Sequence, residues 1–592
     1  MPPLGLPIYG QSAGGGLTAH RWRSAAEQAR GPASSADEFP EGATEPPSEL
    51  GRRSFIQLMG AAAGMAGLAA CKPPRQTVVS YVRPPDDVVP STPNAYATAA
   101  SRGGYAIGLV VTSWEGRPTK VEGNRGHPAS LGATDAMLQA DVLELYDPAR
   151  VRGFVRGERH LDRIGLLGEL SELARGHEQD RGARLRFLVE PTSSPTLGEL
   201  RRRILKRFPM ARFVTWSPLT EGQARAGTAL AFGRPLDASW SLAGADVILS
   251  LDADLLGGDG EMLRQAREYA ERRTDPGSMN RLYVAEAGLS ITGGVADHRF
   301  RMRAAEVLSF GRAVAAELSS RPGLSALAPL GGPAPSGLGR AAGVVAADLF
   351  RARGRSLVAV GPRQPAELHA LAAALNEVLG NAGQTVSYRP TVLLDDNDGP
   401  GPLSELGKEM EGGAVEALVV TAWNPLYTAP ADLRLRQAFG RVKERIVLSL
   451  RDGETFSAAN WRLAQSHALE AWGDLRSRDG TASIVQPLVA PLFETLSEVE
   501  LLAAFLDEGD RGDHGVVQDS WRARTGAAGF DRTWAGWLAA GLVSGSATKA
   551  EQPAADLGRV AAAVHALPGP APGLEVRFVQ DYRILDGRYL EN

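Results

Sequence analysis

The sequence predicts an α/β fold: two doubly wound parallel-sheet units with smaller N- and C-terminal pieces. Three observations predict it. From residue 184 onward, apolar runs of strand length alternate with amphipathic stretches of helix length, the pattern of parallel strands joined by crossover helices. A Pro/Gly-rich stretch at 321–339 divides that alternation in two. The chain has 592 residues, several times the ~150 of one domain, and its 43% hydrophobic residues suffice for several cores.

Bulk composition removes several function classes. Lys and Arg (64) nearly balance Asp and Glu (68), leaving a net charge of −4, so neither a basic nucleic-acid binder nor an acidic solvating tail is indicated. Gly (68) and Pro (39) imply many turns rather than a rod. The single cysteine excludes an internal disulfide, a four-thiolate zinc site and a four-thiolate iron–sulfur cluster within this chain.

Residues 1–50, rich in Gly, Pro, Ser, Ala and Glu, read as a disordered or partner-bound arm. Residues 51–71 read as an export signal. Arg52 and Arg53 form a twin-arginine pair before a mild, uncharged stretch that runs to Ala70. Leu68-Ala69-Ala70-Cys71 is similar to a bacterial lipobox, which implies cleavage before Cys71 and acylation of its thiol. Acyl chains contribute about 0.8 kcal/mol per buried CH₂, enough for several chains to hold the protein at a membrane. The rival reading is an uncleaved anchor packed through Gly60 and Gly64, although 18 residues between Arg53 and Lys72 are marginal for a span.

Residues 72–180 read as a Pro-rich extended arm followed by a small β-rich domain. Its centre is a hairpin over 105–112 and 119–122, turning at Glu115-Gly116-Arg117-Pro118. The first α/β domain is placed at 181–320, with strands near 186–190, 212–216, 245–251 and 281–285 and helices near 197–207, 221–232 and 260–273. The second is placed at 340–480, with strands near 356–361, 417–421 and 445–450 and helices near 364–379 and 431–440. Residues 481–592 are expected to be irregular, with Trp521, Trp534 and Trp537 packing in a smaller layer and a stiff linker at 568–573.

Several stretches carry a resemblance. Gly116-Arg117-Pro118-Thr119-Lys120-Val121-Glu122-Gly123-Asn124, then His127-Pro128, Gly132 and Leu145-Tyr146-Asp147-Pro148-Ala149-Arg150 resemble the N-terminal region of bis-molybdopterin oxidoreductases, with no gap in spacing. The resemblance implies a DMSO-reductase-like multidomain fold. In functional members a cluster-binding cysteine lies three residues after the glycine matching Gly132, and a lysine follows two residues later. Here those positions are Asp135 and Met137.

Further stretches are similar to the large peripheral subunit of alternative complex III, a bacterial quinol-oxidising respiratory complex. They are Trp22-Arg23-Ser24, Glu38-Phe39-Pro40, Tyr81-Val82-Arg83-Pro84-Pro85, the run from Ser290 to His298, the run from His467 to Asp474 and the run from Asp479 to Pro487. In that family a ferredoxin-like half bearing iron–sulfur clusters follows the molybdopterin-like half. The sequence ends at Asn592, so the resemblance implies that the cluster-bearing half is a separate polypeptide or is lost.

Other chemistry has weaker support. The histidines show no metal-ligand spacing and read as structural. Asp252 and Asp254 end an apolar strand, where α/β sheets bind ligands, but a loop capping the following helix is the favoured reading. Asp297-His298-Arg299 suits either the lining of an old pterin cleft or a salt-bridged loop. The mixture of His467, Glu470, Trp472, Asp474 and Arg476 suits a ligand cleft or a subunit interface. No Gly-x-Gly-x-x-Gly after a strand, Walker loop or nucleophile elbow occurs.

The expected protein is therefore a lipid-anchored structural subunit of a quinol-oxidising complex on the periplasmic face of the bacterial inner membrane, with no redox centre, metal or catalytic residue of its own. The expected partners are a ferredoxin-like iron–sulfur subunit, a quinol-binding integral membrane subunit, a multi-haem cytochrome c subunit and membrane lipid through Cys71, with no nucleic acid. Iron–sulfur clusters and haem belong to those partners. The alternatives are an active molybdopterin oxidoreductase with a non-cysteine metal ligand, and a periplasmic small-ligand-binding lipoprotein.

Overall fold

The computed structural model describes residues 89–588 apart from 90, 396 and 583. The N-terminal arm, the signal with Arg52 and Arg53, and Cys71 lie outside the described residues. The described residues belong to one compact unit, Asp86–Asn592. No helix among them is long and apolar enough to cross a membrane.

Strands β1 (Asn94–Arg102), β2 (Tyr105–Trp114) and β3 (Arg117–Gly123) form an antiparallel meander. Gly103 and Gly104 both take positive φ in the two-residue turn between β1 and β2, the conformation a tight hairpin requires. The expected hairpin at Glu115–Gly116 is the second turn of this meander. Helix Ala136–Leu145 packs on β3.

Next come β4 (Phe154–Arg156), β5 (Arg159–Leu161), β6 (Leu185–Val189) and β7 (Arg212–Thr215), then β8 (Asp237–Trp240), β9 (Val247–Leu251), β10 (Arg281–Glu286), β11 (His298–Arg301), β12 (Ser356–Val360) and β13 (Val386–Arg389). The chain finishes its strands with β14 (Ala417–Val420), β15 (Glu444–Ser449), β16 (Trp461–Ala464), β17 (Gly473–Arg476) and β18 (Ala482–Val485). A four-stranded parallel sheet has the order β11-β10-β9-β12, and a seven-stranded mixed sheet the order β5-β4-β16-β15-β14-β6-β7. In the larger sheet β16 through β7 run parallel and β4 and β5 antiparallel. Strands β6, β9, β12 and β14 are buried at every position, as strands covered on both faces must be.

The α/β class and two parallel sheets agree with the sequence, but the division into domains at 181–320 and 340–480 does not. Strands β6 and β7 join β14, β15 and β16 in one sheet, while β12 joins β9. The four-stranded unit is an insertion between two halves of the seven-stranded one. The stretch 321–339 holds the 3₁₀ helix Ser325–Leu330 and is not a boundary. Leu324, Leu327 and Leu330 from it are buried in the same core as Leu249 and Leu357. Its Pro and Gly content reports broken backbone periodicity, whereas those three leucines decide where the segment packs.

Two other boundaries move for the same reason. Strands β4 and β5, inside the expected 72–180 domain, belong to the seven-stranded sheet. Residues 481–592 are not irregular: they hold helices Glu498–Ala504, Gly512–Thr525, Phe530–Ala540 and Leu557–Ala566. Trp521, Trp534 and Trp537 pack into the core beneath the seven-stranded sheet rather than into a separate layer. The last helix buries Val560 and Val564 against the four-stranded unit.

Candidate functional site

In doubly wound sheets a ligand crevice opens at the carboxyl ends of the strands where their order reverses. The seven-stranded sheet reverses between β6 and β14, and the four-stranded sheet between β9 and β12. At the first reversal, Glu190 follows β6, and Trp423 and Asn424 follow β14. The Glu190 carboxylate accepts from Trp423 N at 3.1 Å and from Arg588 at 2.7 Å. At the second, Asp252 follows β9 and accepts from Gln364 at 2.9 Å and from Arg577 at 2.6 Å. A Cβ on Gly361 would lie 1.9 Å from Asp252 O, so only glycine lets the two loops meet there.

Arg577 and Arg588 come from the same segment, the C-terminal tail, and each fills one reversal point. The tail makes two more contacts along the way. The Glu575 carboxylate accepts from the N–H groups of Ala304 at 2.7 Å and Ala305 at 2.8 Å, at the start of the turn that leads into helix Val307–Ser319. Helix starts attract anions, and here the chain supplies its own. The Tyr582 ring lies against Gly258, where a Cβ would approach it to 2.0 Å. Burial, then the charges of Asp259 and Asp254, push the Tyr582 hydroxyl well above its ordinary pKa, so it stays protonated.

This arrangement does not suit a bis-pterin dinucleotide. Its diphosphates need amide or cationic donors, and the cations at the carboxyl edges are already paired: Arg577 with Asp252, Arg588 with Glu190 and Arg363 with Asp259. The N–H groups of Ala304 and Ala305 are taken by Glu575. Asp135 is also committed: it accepts from Leu138 N at 2.9 Å as the N-cap of helix Ala136–Leu145 and pairs with Arg102 at 2.5 Å. Met137 sits half-buried in the first turn of that helix.

Asp252 and Asp254 do not cap the following helix, Met262–Arg272, which has no side-chain cap at all. Asp254 instead accepts from the N–H and hydroxyl of Thr292 at 2.9 and 2.8 Å. Asp297 pairs with Arg273 and Arg299 with Glu286, so the Asp297-His298-Arg299 segment is a salt-bridged loop.

The Trp461–Arg478 region is largely internal. Arg150 donates two bonds to Glu470, at 3.0 and 2.6 Å, and neither side chain is exposed. Asp474 accepts from Ser194, from the Thr196 hydroxyl at 2.6 Å and from the Trp521 indole at 2.8 Å, joining three segments. Glu470 and Trp472 also line an open cleft of about 500 Å³. A larger one, about 720 Å³, lies beside the tail and includes Trp423, Asn424, Arg451, Glu454 and Arg588. Arg476 is half-buried, and its N–H donates to Ser193 at 2.9 Å.

Asp141, Glu144 and His467 bring one ligand-type atom each within 4.8 Å of one another. The ring is set wrongly for a metal. Leu469 N donates to His467 Nδ1 at 3.1 Å, which places the proton of the neutral ring on Nε2, the atom that faces the carboxylates. Metal-bound histidines instead donate from the second nitrogen. Glu144 is further held by Arg451 at 3.2 Å.

Sequence reading missed the tail contacts. The signal available was the alternation Leu574-Glu575-Val576-Arg577-Phe578, which is too short to be told from an ordinary linker.

No family model matches the chain. It is 23% identical over 464 residues to a protein named menaquinone reductase, molybdopterin-binding-like subunit, of Nitratidesulfovibrio vulgaris, covering 72% of this chain and 67% of that one. In structure it is similar to acetylene hydratase from Pelobacter acetylenicus, with a TM-score of 0.52, 14% identity and 70% of each chain covered. The fold is thus that of the molybdopterin oxidoreductases, the DMSO-reductase-like class.

Proposed function

We propose that this chain is the non-catalytic, molybdopterin-oxidoreductase-like body of a membrane quinone-linked electron-transfer complex of the alternative complex III kind. One observation carries the proposal: Arg577 and Arg588 of the chain's own tail fill the two strand-order reversals where such folds take ligands. The commitment of Asp135 to a helix cap and to Arg102 adds support. The name of the Nitratidesulfovibrio relative supports quinone chemistry, and the resemblance to alternative complex III gives quinol oxidation as the direction.

In this reading the chain has no cofactor. Electrons pass through clusters on a ferredoxin-like subunit and haems on a cytochrome c subunit, with quinol bound by an integral membrane subunit. The body positions these partners at the periplasmic face of the inner membrane, held by lipid on Cys71 after export through the twin-arginine signal at Arg52 and Arg53.

Elemental analysis of the purified chain tests this directly. Molybdenum and iron are both expected well below one atom per chain, and deletion of the gene is expected to disassemble the complex rather than slow it. One molybdenum per chain with bound pterin would replace this reading with an active oxidoreductase.

A further inference from the structure

The tail that fills the crevice also has an outer side. Leu574, Val576, Phe578 and Val579 are all strongly exposed, Phe578 to 90%. Between them, Glu575 and Arg577 reach the body. Charged residues bonded to the body alternating with apolar residues turned to solvent, from Leu574 to Phe578, follows the period of two of an extended chain, but it is inverted. A water-facing strand would place its apolar side against the core.

The backbone of this segment is open to water as well. Among the described residues, Leu574–Val579 make no backbone–backbone hydrogen bond.

We propose that residues 574–579 are a docking strand: a partner subunit pairs an edge strand alongside it, and that subunit's apolar layer covers Leu574, Val576 and Phe578. The occupant follows from the two features taken together. Backbone groups paired only with water can take another backbone, and exposed apolar side chains call for an apolar layer. Strand addition meets both at once. A bilayer would meet only the second, leaving unpaired N–H and C=O groups in hydrocarbon beside Glu575 and Arg577. The anchors explain why the strand can be ready before its partner arrives, since Glu575 and Arg577 hold it in register on the body. This inference rests on the reading of the chain as a complex subunit and says where one partner binds it.

A photo-reactive phenylalanine analogue placed singly at positions 576, 577 and 578 of the full chain, in the membrane-extracted complex, tests it. Positions 576 and 578 are expected to cross-link to one and the same partner polypeptide, and position 577 only within the chain. Amides 574–579 are expected to exchange freely in the isolated chain and at least tenfold more slowly in the complex. Phe578→Asp is expected to cut recovery of that partner about tenfold and leave the thermal unfolding of the isolated chain unchanged. Cross-links to lipid alone, to a second copy of this chain, or to nothing in an intact complex overturn the docking strand. A chain that extracts alone, with no partner, overturns the subunit reading instead.

Discussion

Arg150 and Glu470 meet with no solvent around either side chain, so neither can lose its partner cheaply. Arg150→Met should leave a buried, unpaired carboxylate and cost about 3–5 kcal/mol, read from urea unfolding. Burial alone would raise the Glu470 pKa, but the bonds from Arg150 and from the Leu492 and His467 N–H groups outweigh it and hold it low. Its share of stability is therefore present above the ordinary carboxylate range and lost as pH falls through the depressed value. Two histidines act at milder acidity. Burial lowers His127 and His369 from 6.5 to about 4, so the unfolded chain takes up their protons first. Stability should fall between pH 6.5 and 4 by about 3 kcal/mol for each, and His369→Gln should flatten that slope in pH-dependent melts. At Cys71, intact-mass analysis of the membrane-extracted protein should find residues 1–70 removed and acyl mass added, and Cys71→Ser should abolish that mass. An unmodified thiol on a longer chain would refute the lipid anchor. That Asp135 and Met137 stand where the resembled family carries cysteine and lysine could be read from the sequence, because it is a matter of residue type. The pairing of Arg150 with Glu470 could not, because 320 residues separate them.

At the scale of elements, the strands and helices follow from periodicity. Val247–Leu251 and Ala417–Val420 are continuous apolar runs between turn signals, and both are strands. Periodicity says nothing about which strand lies beside which. Neighbours in a parallel sheet are chosen by packing at long range, so β12, whose limits follow from its apolar run, lies beside β9 and not with β14 and β15 as sequence order suggests. The tail is the element that sequence reading treated most lightly and that the site depends on most. Replacing both Arg577 and Arg588 by Ala removes two charge-assisted contacts worth about 1.5–3 kcal/mol each. Hydrogen exchange at 252–260, 303–306 and 422–427 should then quicken at least tenfold, with little change in the meander of β1, β2 and β3. Unchanged exchange at those loops would mean that the tail does not hold the crevice.

For the whole molecule, the four-stranded unit interrupts the seven-stranded sheet, and Leu185 of β6 finds its neighbour Ala417 only after the entire insertion has been passed. A ribosome releases the chain in one direction. While residues 222–389 are being made, β6 and β7 have emerged with one flank uncovered, and nothing in the nascent chain can yet close it. The strands of the inserted unit can pair first, because β9 to β12 lie wholly within it, although its core closes only when helix Leu557–Ala566 brings in Val560 and Val564. The outer sheet must wait for β14, β15 and β16, and the tail can cross both only after that. Synthesis therefore ends with an assembly step rather than a string of finished domains, and the time before that step is when the bare flank of β6 needs shielding. If the chain is exported, as the proposed twin-arginine signal at Arg52 and Arg53 would have it, that order of events suits passage already folded rather than as a thread.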